Sequence, residues 1–315
     1  MKKGILQFLA GLGLLLLVAF LAGTSPEKQR RTRREWTVMG TVAGLSFRGE
    51  RQPDVEAACH LVRTRYERLE LLLSAWNPDS ELSRLSREGG TNWIARVSPE
   101  VAGCYRAALL FAEQSGNAFN PQVGAKLREL GAGDGRHYAD FDLGAIAKGF
   151  AVDAAWDAVM RAFGASDMLI DLGGNLRVVG GKWRTGVRNP FGEGYAATVV
   201  LTNGEAVATS GNYERFMERD GVRYSHILDG RTGKPTTGIA GVTVVAPSAM
   251  LADGLSTTLF VLGPEEGGRF LQKWHPGIPA LWIPDTPAKP MIFATPAMAA
   301  RLAEAAYPVT TIHDR

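Results

Sequence analysis

Residues 142–179 read DLGAIAKGFAVDAAWDAVMRAFGASDMLIDLGGNLRVV, and this stretch decides the fold class. Gly149 to Phe163 carries helical periodicity, with Asp142 to Gly149 leading into it. Asp167 to Leu172 is a short apolar run of strand type. Leu172-Gly-Gly-Asn175 is a turn, and Asn175 to Val179 is the next strand. A helix followed directly by paired short strands excludes an all-helical chain and an all-β chain alike. The expectation is α+β.

The flanks extend that pattern. Thr37 to Phe47 reads as one strand with a glycine interruption. Pro53 to Leu73 reads as a helix through Val55, Ala58, Cys59, Val62, Tyr66, Leu69 and Leu72. Ser74 to Arg87 is expected as a polar loop. Ser98 to Ser115 is expected as a helix, with Ser98 as cap, Pro99 at its first position and Glu100 in its first turn. Further strands are expected at Lys182 to Val187, Ala196 to Thr202, Ala206 to Ser210, Arg215 to Glu218, Tyr224 to Leu228 and Gly241 to Ala246. Pro247 to Leu262 reads as a helix ending at Gly263, and Pro264 to His275 as another. Ala280 to Ile283 and Pro290 to Ala294 complete the strands. Neither a fixed-period repeat nor a clean linker interrupts the body, so a single domain is expected over 36–315.

Composition narrows the functional classes. At 315 residues, 45% hydrophobic and 21% charged, the chain is neither disordered, collagen-like nor a multi-span membrane protein. The formal charge of +3 is local: Lys2, Lys3, Lys28, Arg30, Arg31, Arg33 and Arg34 outweigh Glu27 and Glu35 by five, so Trp36 to Arg315 sums to 3 − 5 = −2. Nothing in the body offers a basic footprint for nucleic acid. Glycine, at 37 residues, exceeds the usual share and demands many turns or close backbone approaches.

Lys2 and Lys3 precede Ile5 to Ala22, whose only polar member is Gln7. Residues 1–25 are therefore expected to be a signal peptide or membrane anchor, residues 26–35 a basic linker, and the body exported. Ala22-Gly-Thr-Ser25 has no cysteine for a lipid anchor. Cys59 and Cys104 either pair or stand as two buried thiols on separate helices. With nothing in the sequence placing them together, the second reading is preferred.

Several clusters carry chemistry. Asp142 to Gly149 sets an acid, glycines and Lys148 at the start of a helix, where free N–H groups favour phosphate; an Asp-capped turn accounts for it equally well. His226, three residues before Asp229, has a structural alternative as a satisfied histidine. Asp253-Gly-Leu-Ser-Thr257 is the sharpest spacing. Residues four apart share a helical face, so the Asp253 carboxylate and Thr257 hydroxyl present hard oxygens together, with Ser256 close by. That suits Mg²⁺, although a polar helix face is the alternative.

Taken in order, Met39-Gly-Thr41, Ser74-Ala-Trp-Asn-Pro-Asp-Ser-Glu81, Phe119-Asn-Pro-Gln-Val-Gly124, Asp142 to Gly149, Leu172-Gly-Gly174, Ala208-Thr-Ser-Gly211, His226 to Asp229 with Thr232-Gly233, and Ala252 to Thr257 resemble the ApbE family of FAD:protein FMN transferases. The resemblance spans Met39 to Gly263. It implies a T-fold-like α+β body with mixed or antiparallel sheets and packed helices. It also implies an enzyme that binds FAD and Mg²⁺, splits the pyrophosphate, moves FMN onto a threonine of an acceptor flavoprotein, and releases AMP. FAD hydrolysis to FMN and AMP, or non-catalytic FAD binding, are the alternatives.

Residue by residue, the resemblance assigns Met39, Trp76, Ala118, Phe119, Asn120, Asp142, Lys148 and Ile227 to FAD. It assigns the Ala145 carbonyl, Asp253 and Thr257 to Mg²⁺, and His226 to deprotonation of the threonine; Asp253 and His226 are thus the residues expected to carry catalysis. A periplasmic location is the family habit. This sequence departs from the family pattern in a shortened 124–141 segment, in Asn120 and Gly230 where Asp and Pro are usual, and in Ser256 where some members have an acid.

Overall fold

The structure, a computed structural model, describes residues 31–88, 96–131, 136–212, 216–219 and 222–312. The expected signal or anchor at 1–25, the first half of the expected linker and Arg215 lie outside the described residues.

β1 (Arg31–Val38) and β2 (Thr41–Arg48) form an antiparallel hairpin closed at Met39-Gly40. The stretch expected as one interrupted strand is thus two strands. Arg31, Arg33 and Arg34, expected in a linker, belong to the first of them. Both turn residues are left-handed, Met39 at φ 51° and Gly40 at φ 65°, as the two-residue turn that matches strand twist requires.

α1 (Val55–Leu73) is capped by Asp54, which accepts from the Ala57 N–H. α2 (Glu81–Glu88) occupies what the sequence suggests is a polar loop. It is too short and too polar to show a period, yet Ser80 Oγ accepts from Ser83 N–H at 3.0 Å and caps it. α3 (Pro99–Gln114) starts at Ser98 as expected. A 3₁₀ turn at Pro121–Val123 leads into α4 (Gly124–Glu129). α5 (Gly144–Phe163) begins at Gly144 rather than Gly149 and stops at left-handed Gly164.

There follow β3 (Met168–Leu172), β4 (Asn175–Val179), β5 (Trp183–Arg188), β6 (Tyr195–Leu201), β7 (Ala206–Gly211), β8 (Phe216–Arg219), β9 (Val222–Ser225), β10 (Leu228–Asp229), β11 (Lys234–Pro235) and β12 (Ile239–Ala246). The strand expected over Tyr224 to Leu228 is split, because the chain turns at His226-Ile227. α6 (Ala249–Trp274) is two helical segments joined at Gly263, φ 70°, before Pro264, as the sequence indicates. β13 (Ala280–Pro284), β14 (Ile292–Ala294), α7 (Pro296–Ala299), β15 (Leu302–Ala305) and β16 (Val309–Thr311) complete the chain.

The main sheet runs β1-β2-β3-β4-β7-β12-β13-β14-β16, antiparallel except for the β14–β16 pair. Side-chain alternation divides its two faces. Ile170, Val242, Val244, Ala280 and Trp282 pack with α1, α3, α5 and α6, whereas Leu169, Val178, Val245, Leu281 and Ile283 pack with Trp183, Val199 and Leu201 of a second sheet, β15-β6-β5. Helices, large sheet and small sheet form three layers. All eight residues of β12 are buried because both of its faces are covered. Cys59 on α1 and Cys104 on α3 are buried, unbonded thiols, in keeping with the preferred reading.

Candidate active site

The site grows from the crossing of α5 and α6. Their approach is allowed by Gly149: a Cβ there would lie on the Ala249 carbonyl and 2.7 Å from the Cα of Met250. Asp153, one turn further along α5, accepts from the N–H groups of Ala249 and Met250 at 2.9 Å each and pairs with Arg177 at 2.8 Å. A carboxylate on one helix thus satisfies the N-terminal donors of the other.

This crossing places Asp253 inside the protein, 4% exposed. Its Oδ2 accepts from Gly149 N–H at 2.8 Å and its Oδ1 lies 4.0 Å from Lys148 Nζ. Burial pushes its carboxyl above the usual range, with Lys148 and the Gly149 N–H pulling the other way. Thr257 follows one turn later, and its Oγ1 is 3.2 Å from Ser210 Oγ at the end of β7; Ser210 also meets Ser256 Oγ at 2.8 Å. Ser256 also donates to the Asp253 carbonyl at 2.9 Å. Ala145 lies one turn before Gly149 on α5, on the same helical face. The Asp253 carboxylate, the hydroxyls of Thr257, Ser256 and Ser210, and the Ala145 carbonyl are hard-oxygen donors of the kind Mg²⁺ takes, and a cation beside Asp253 would offset the cost of burying it. No group of three or more His, Cys, Asp or Glu stands in metal-binding reach among the described residues, so a site richer in acids is not offered.

A second wall forms beside the start of α5. Asp142 Oδ1 accepts from Gly144 N–H at 2.6 Å, which is the turn expected of it. Its Oδ2 is 3.0 Å from His137 Nε2, and the His137 ring stands edge-on to Trp76 at 4.8 Å and 80°. Tyr138 N–H donates to the Ala75 carbonyl at 2.7 Å, and Asp142 N–H to that of Pro121 at 2.7 Å. Trp76, Asp142 and the Ala118-Phe119-Asn120 loop, far apart in the chain, are thus stitched into one surface. Ala118 and Phe119 are buried, so this loop presents backbone and Asn120, whose Oδ1 accepts from Gln122 N–H.

The His226 turn docks on the same loop. Gly230 N–H donates to the Ala118 carbonyl at 3.1 Å, and a Cβ at Gly230 would collide with the Cβ of Asn120. Proline at 230 would lack the donor and overlap the loop, and Asn120 and Gly230, two of the departures noted above, are neighbours. Ile227 is buried and His226 half-buried at this turn; the Thr236 N–H donates to Ile227 O at 2.9 Å. Met39 joins from the β1–β2 turn, its N–H donating to Glu70 Oε2 at 3.2 Å in the last turn of α1, from which the chain runs into Trp76.

His137, Ser210 and Asp153 belong to this arrangement and were not singled out as site residues in the sequence. His137 lies in an irregular stretch with no motif, and the partners of Asp153 are N–H groups distant in sequence.

The profile of the ApbE family matches residues 39–140 and 134–282. A protein of Treponema pallidum named FAD:protein FMN transferase is 34% identical over 85% of this chain and 90% of its own length. A Rhodobacter capsulatus protein of the same name is 30% identical over 94% of this chain and 62% of its own length. The solved structure of the flavin transferase ApbE from Vibrio cholerae superposes with a TM-score of 0.75 at 24% identity, over 87% of this chain and all of that one, and shows the same fold.

Proposed function

The chain belongs to the ApbE family, and from that we propose that it is a FAD:protein FMN transferase acting with Mg²⁺ on a threonine of an acceptor flavoprotein. In the reaction the threonine oxygen attacks the FMN-side phosphorus of FAD. The new phosphoester bond forms as the bond to the bridging pyrophosphate oxygen breaks. AMP leaves, and the hydroxyl proton passes to a base.

The observation that carries the reading is the buried Asp253 carboxylate held by Gly149 N–H and Lys148 at the α5–α6 crossing, with Thr257, which meets Ser210, one helical turn further along α6. Asp253, Thr257 and the Ala145 carbonyl would hold Mg²⁺, which supplies neutralisation of pyrophosphate charge. Lys148 adds a positive charge beside it, and Trp76 offers an aromatic face to a flavin or adenine ring. Met39, Asn120, Asp142 and Ile227 line the approach, Ala118 and Phe119 back it, and His226 on its turn accepts the threonine proton. The leader, Lys2-Lys3 followed by the apolar run to Ala22, supports a periplasmic body tethered or exported by that segment. No helix among the described residues is long and apolar enough to cross a membrane, so any tether falls to the leader. A reporter active only outside the cytoplasm, fused after residue 40, should be active; silence would refute export.

Purified protein incubated with FAD, Mg²⁺ and a threonine-bearing acceptor should yield the FMN-modified acceptor by intact mass, with equimolar AMP. Asp253→Ala should abolish both. Labelling by that variant at the parent rate would sink the metal assignment. AMP without a modified acceptor identifies FAD hydrolysis instead, and bound FAD with no turnover a binding protein.

A further inference from the structure

His137 has no part in the reading above, yet its side chain is buried and held on two sides beside the site. Its ring is wholly buried, 0% exposed. Its Nε2 meets Asp142 Oδ2 at 3.0 Å, and its ring edge meets Trp76. An ionised Asp142 only accepts, so Nε2 carries a proton, and in the neutral ring Nδ1 is then an acceptor. That Nδ1 has no hydrogen-bond partner among the described residues. A buried acceptor left unmet is a standing cost to stability, and such groups call for a reason other than folding.

The surrounding segment is held rigidly. Arg128 Nη1 donates to the carbonyls of His137 at 3.2 Å and Ala139 at 2.9 Å, and Tyr138 N–H ties the strand-like stretch to Ala75. The imidazole is therefore a spacer of fixed position between two groups that would meet the substrate: an aromatic face, Trp76, and a carboxylate, Asp142. With Oδ1 directed by Gly144 N–H and Oδ2 by His137, both oxygens of Asp142 are oriented.

We propose that His137 is a positioning residue for FAD, acting through Asp142 and Trp76 to hold the carboxylate and the ring in the geometry the dinucleotide meets. The inference rests on the assignment of Asp142 and Trp76 to FAD. It locates part of the affinity for FAD in a residue that does not itself touch the substrate, much as outer hydrogen bonds orient the ligands of a metal.

Four variants test it: His137→Phe, His137→Gln, Asp142→Asn and the His137→Phe/Asp142→Asn double. FAD binding is read by flavin fluorescence without acceptor, KM and kcat for FAD by AMP release, and folding by thermal melting. His137→Phe keeps an aromatic ring against Trp76 but loses the bond to Asp142. FAD binding should weaken about tenfold, the scale of one hydrogen bond to a charged group. KM should rise in step while kcat stays within about threefold, as expected when ground-state binding is lost. Its melting temperature should hold or rise, since the unmet Nδ1 is gone. His137→Gln places an amide N–H near the Nε2 position and should recover most of the affinity. The double variant should bind no more weakly than Asp142→Asn alone.

Parent-like FAD binding by His137→Phe, beside a loss in Asp142→Asn, overturns the proposal and leaves the site assignment standing. Parent-like binding by Asp142→Asn overturns the site assignment itself. A His137→Phe chain that melts lower or does not fold, with no recovery by Gln, overturns the proposal by making the residue structural.

Discussion

Gly149→Ala isolates the contact on which the site depends. A Cβ at this position would lie 2.6 Å from the Ala249 carbonyl carbon and 2.7 Å from Met250 Cα, both backbone atoms, and ordinary contact begins near 3.4 Å. The Ala249 carbonyl oxygen would be closer still, so the start of α6 must retreat from α5 by at least about 3.4 − 2.6 = 0.8 Å. Overpacking of this kind costs about 1–3 kcal/mol, while alanine in a helix interior returns about 1 kcal/mol over glycine. The net loss is then about 0–2 kcal/mol, a fall of only a few degrees in melting temperature for a domain of this size. Activity should respond far more. The retreat falls on the 2.8 Å bond from Gly149 N–H to Asp253 Oδ2 and on Lys148 at 4.0 Å. A misplacement near 1 Å at reacting groups costs about a hundredfold in rate.

The assay is the initial rate of acceptor modification at saturating FAD across a Mg²⁺ series, beside thermal melts. Gly103→Ala on α3 is the control, since nothing lies within 4 Å of its Cβ. It should be as stable as the parent or up to about 1 kcal/mol more so, at full rate. A Gly149→Ala protein that transfers FMN within twofold of the parent would falsify the claim that this close crossing sets the site.

Asp171 is fully buried, and burial pushes its carboxyl up from 3.8 to about 6 against the opposing pull of Gly174 N–H and Arg33. A carboxyl raised in the folded state stabilises it when protonated; that contribution is full below pH 3.8 and fades as pH rises through 6, a span worth about 3 kcal/mol. Asp171→Asn should therefore gain stability over the parent between about pH 4 and pH 7, and parallel melting curves across that range would refute the assignment. Asp153→Ala strips the acceptor from two N–H groups of α6 and strands Arg177, so a loss of about 3 kcal/mol in urea unfolding is expected, together with transferase activity. Thr257→Val keeps the shape and removes one oxygen from the proposed Mg²⁺ set. The Mg²⁺ concentration for half-maximal rate should rise about tenfold, and an unchanged value would remove Thr257 from that set.

Local signals carried the helices that have strong ends. Asp54, Ser98 and the Gly263-Pro264 break act within one turn of the chain, so they are readable from neighbours in sequence. The Leu172-Gly-Gly-Asn175 turn was readable for the same reason. The Met39-Gly40 hairpin was not, because a non-glycine residue at φ 51° leaves no compositional mark. α2 was missed since only Leu82 and Ser83 are buried along it, too few to show a period. The segments of the site are visible as motifs, but the bonds that unite them, from Gly149 to Asp253, His137 to Asp142 and Gly230 to Ala118, join residues from separate elements.

The order of residues along the chain thus settled the α+β class, the concentration of positive charge in the leader and its flank, and the chemical types available: a carboxylate and hydroxyl one turn apart, a lysine at a helix start, a histidine in a turn. Those follow from periodicity and spacing, which act over a few residues. Which of these groups meet was settled by packing. Burying both faces of the large sheet sets α5 against α6, and at that tight crossing Asp253 is buried with Gly149 N–H and Lys148 as its partners, while Ser210 of the sheet meets the hydroxyls of Ser256 and Thr257 on α6.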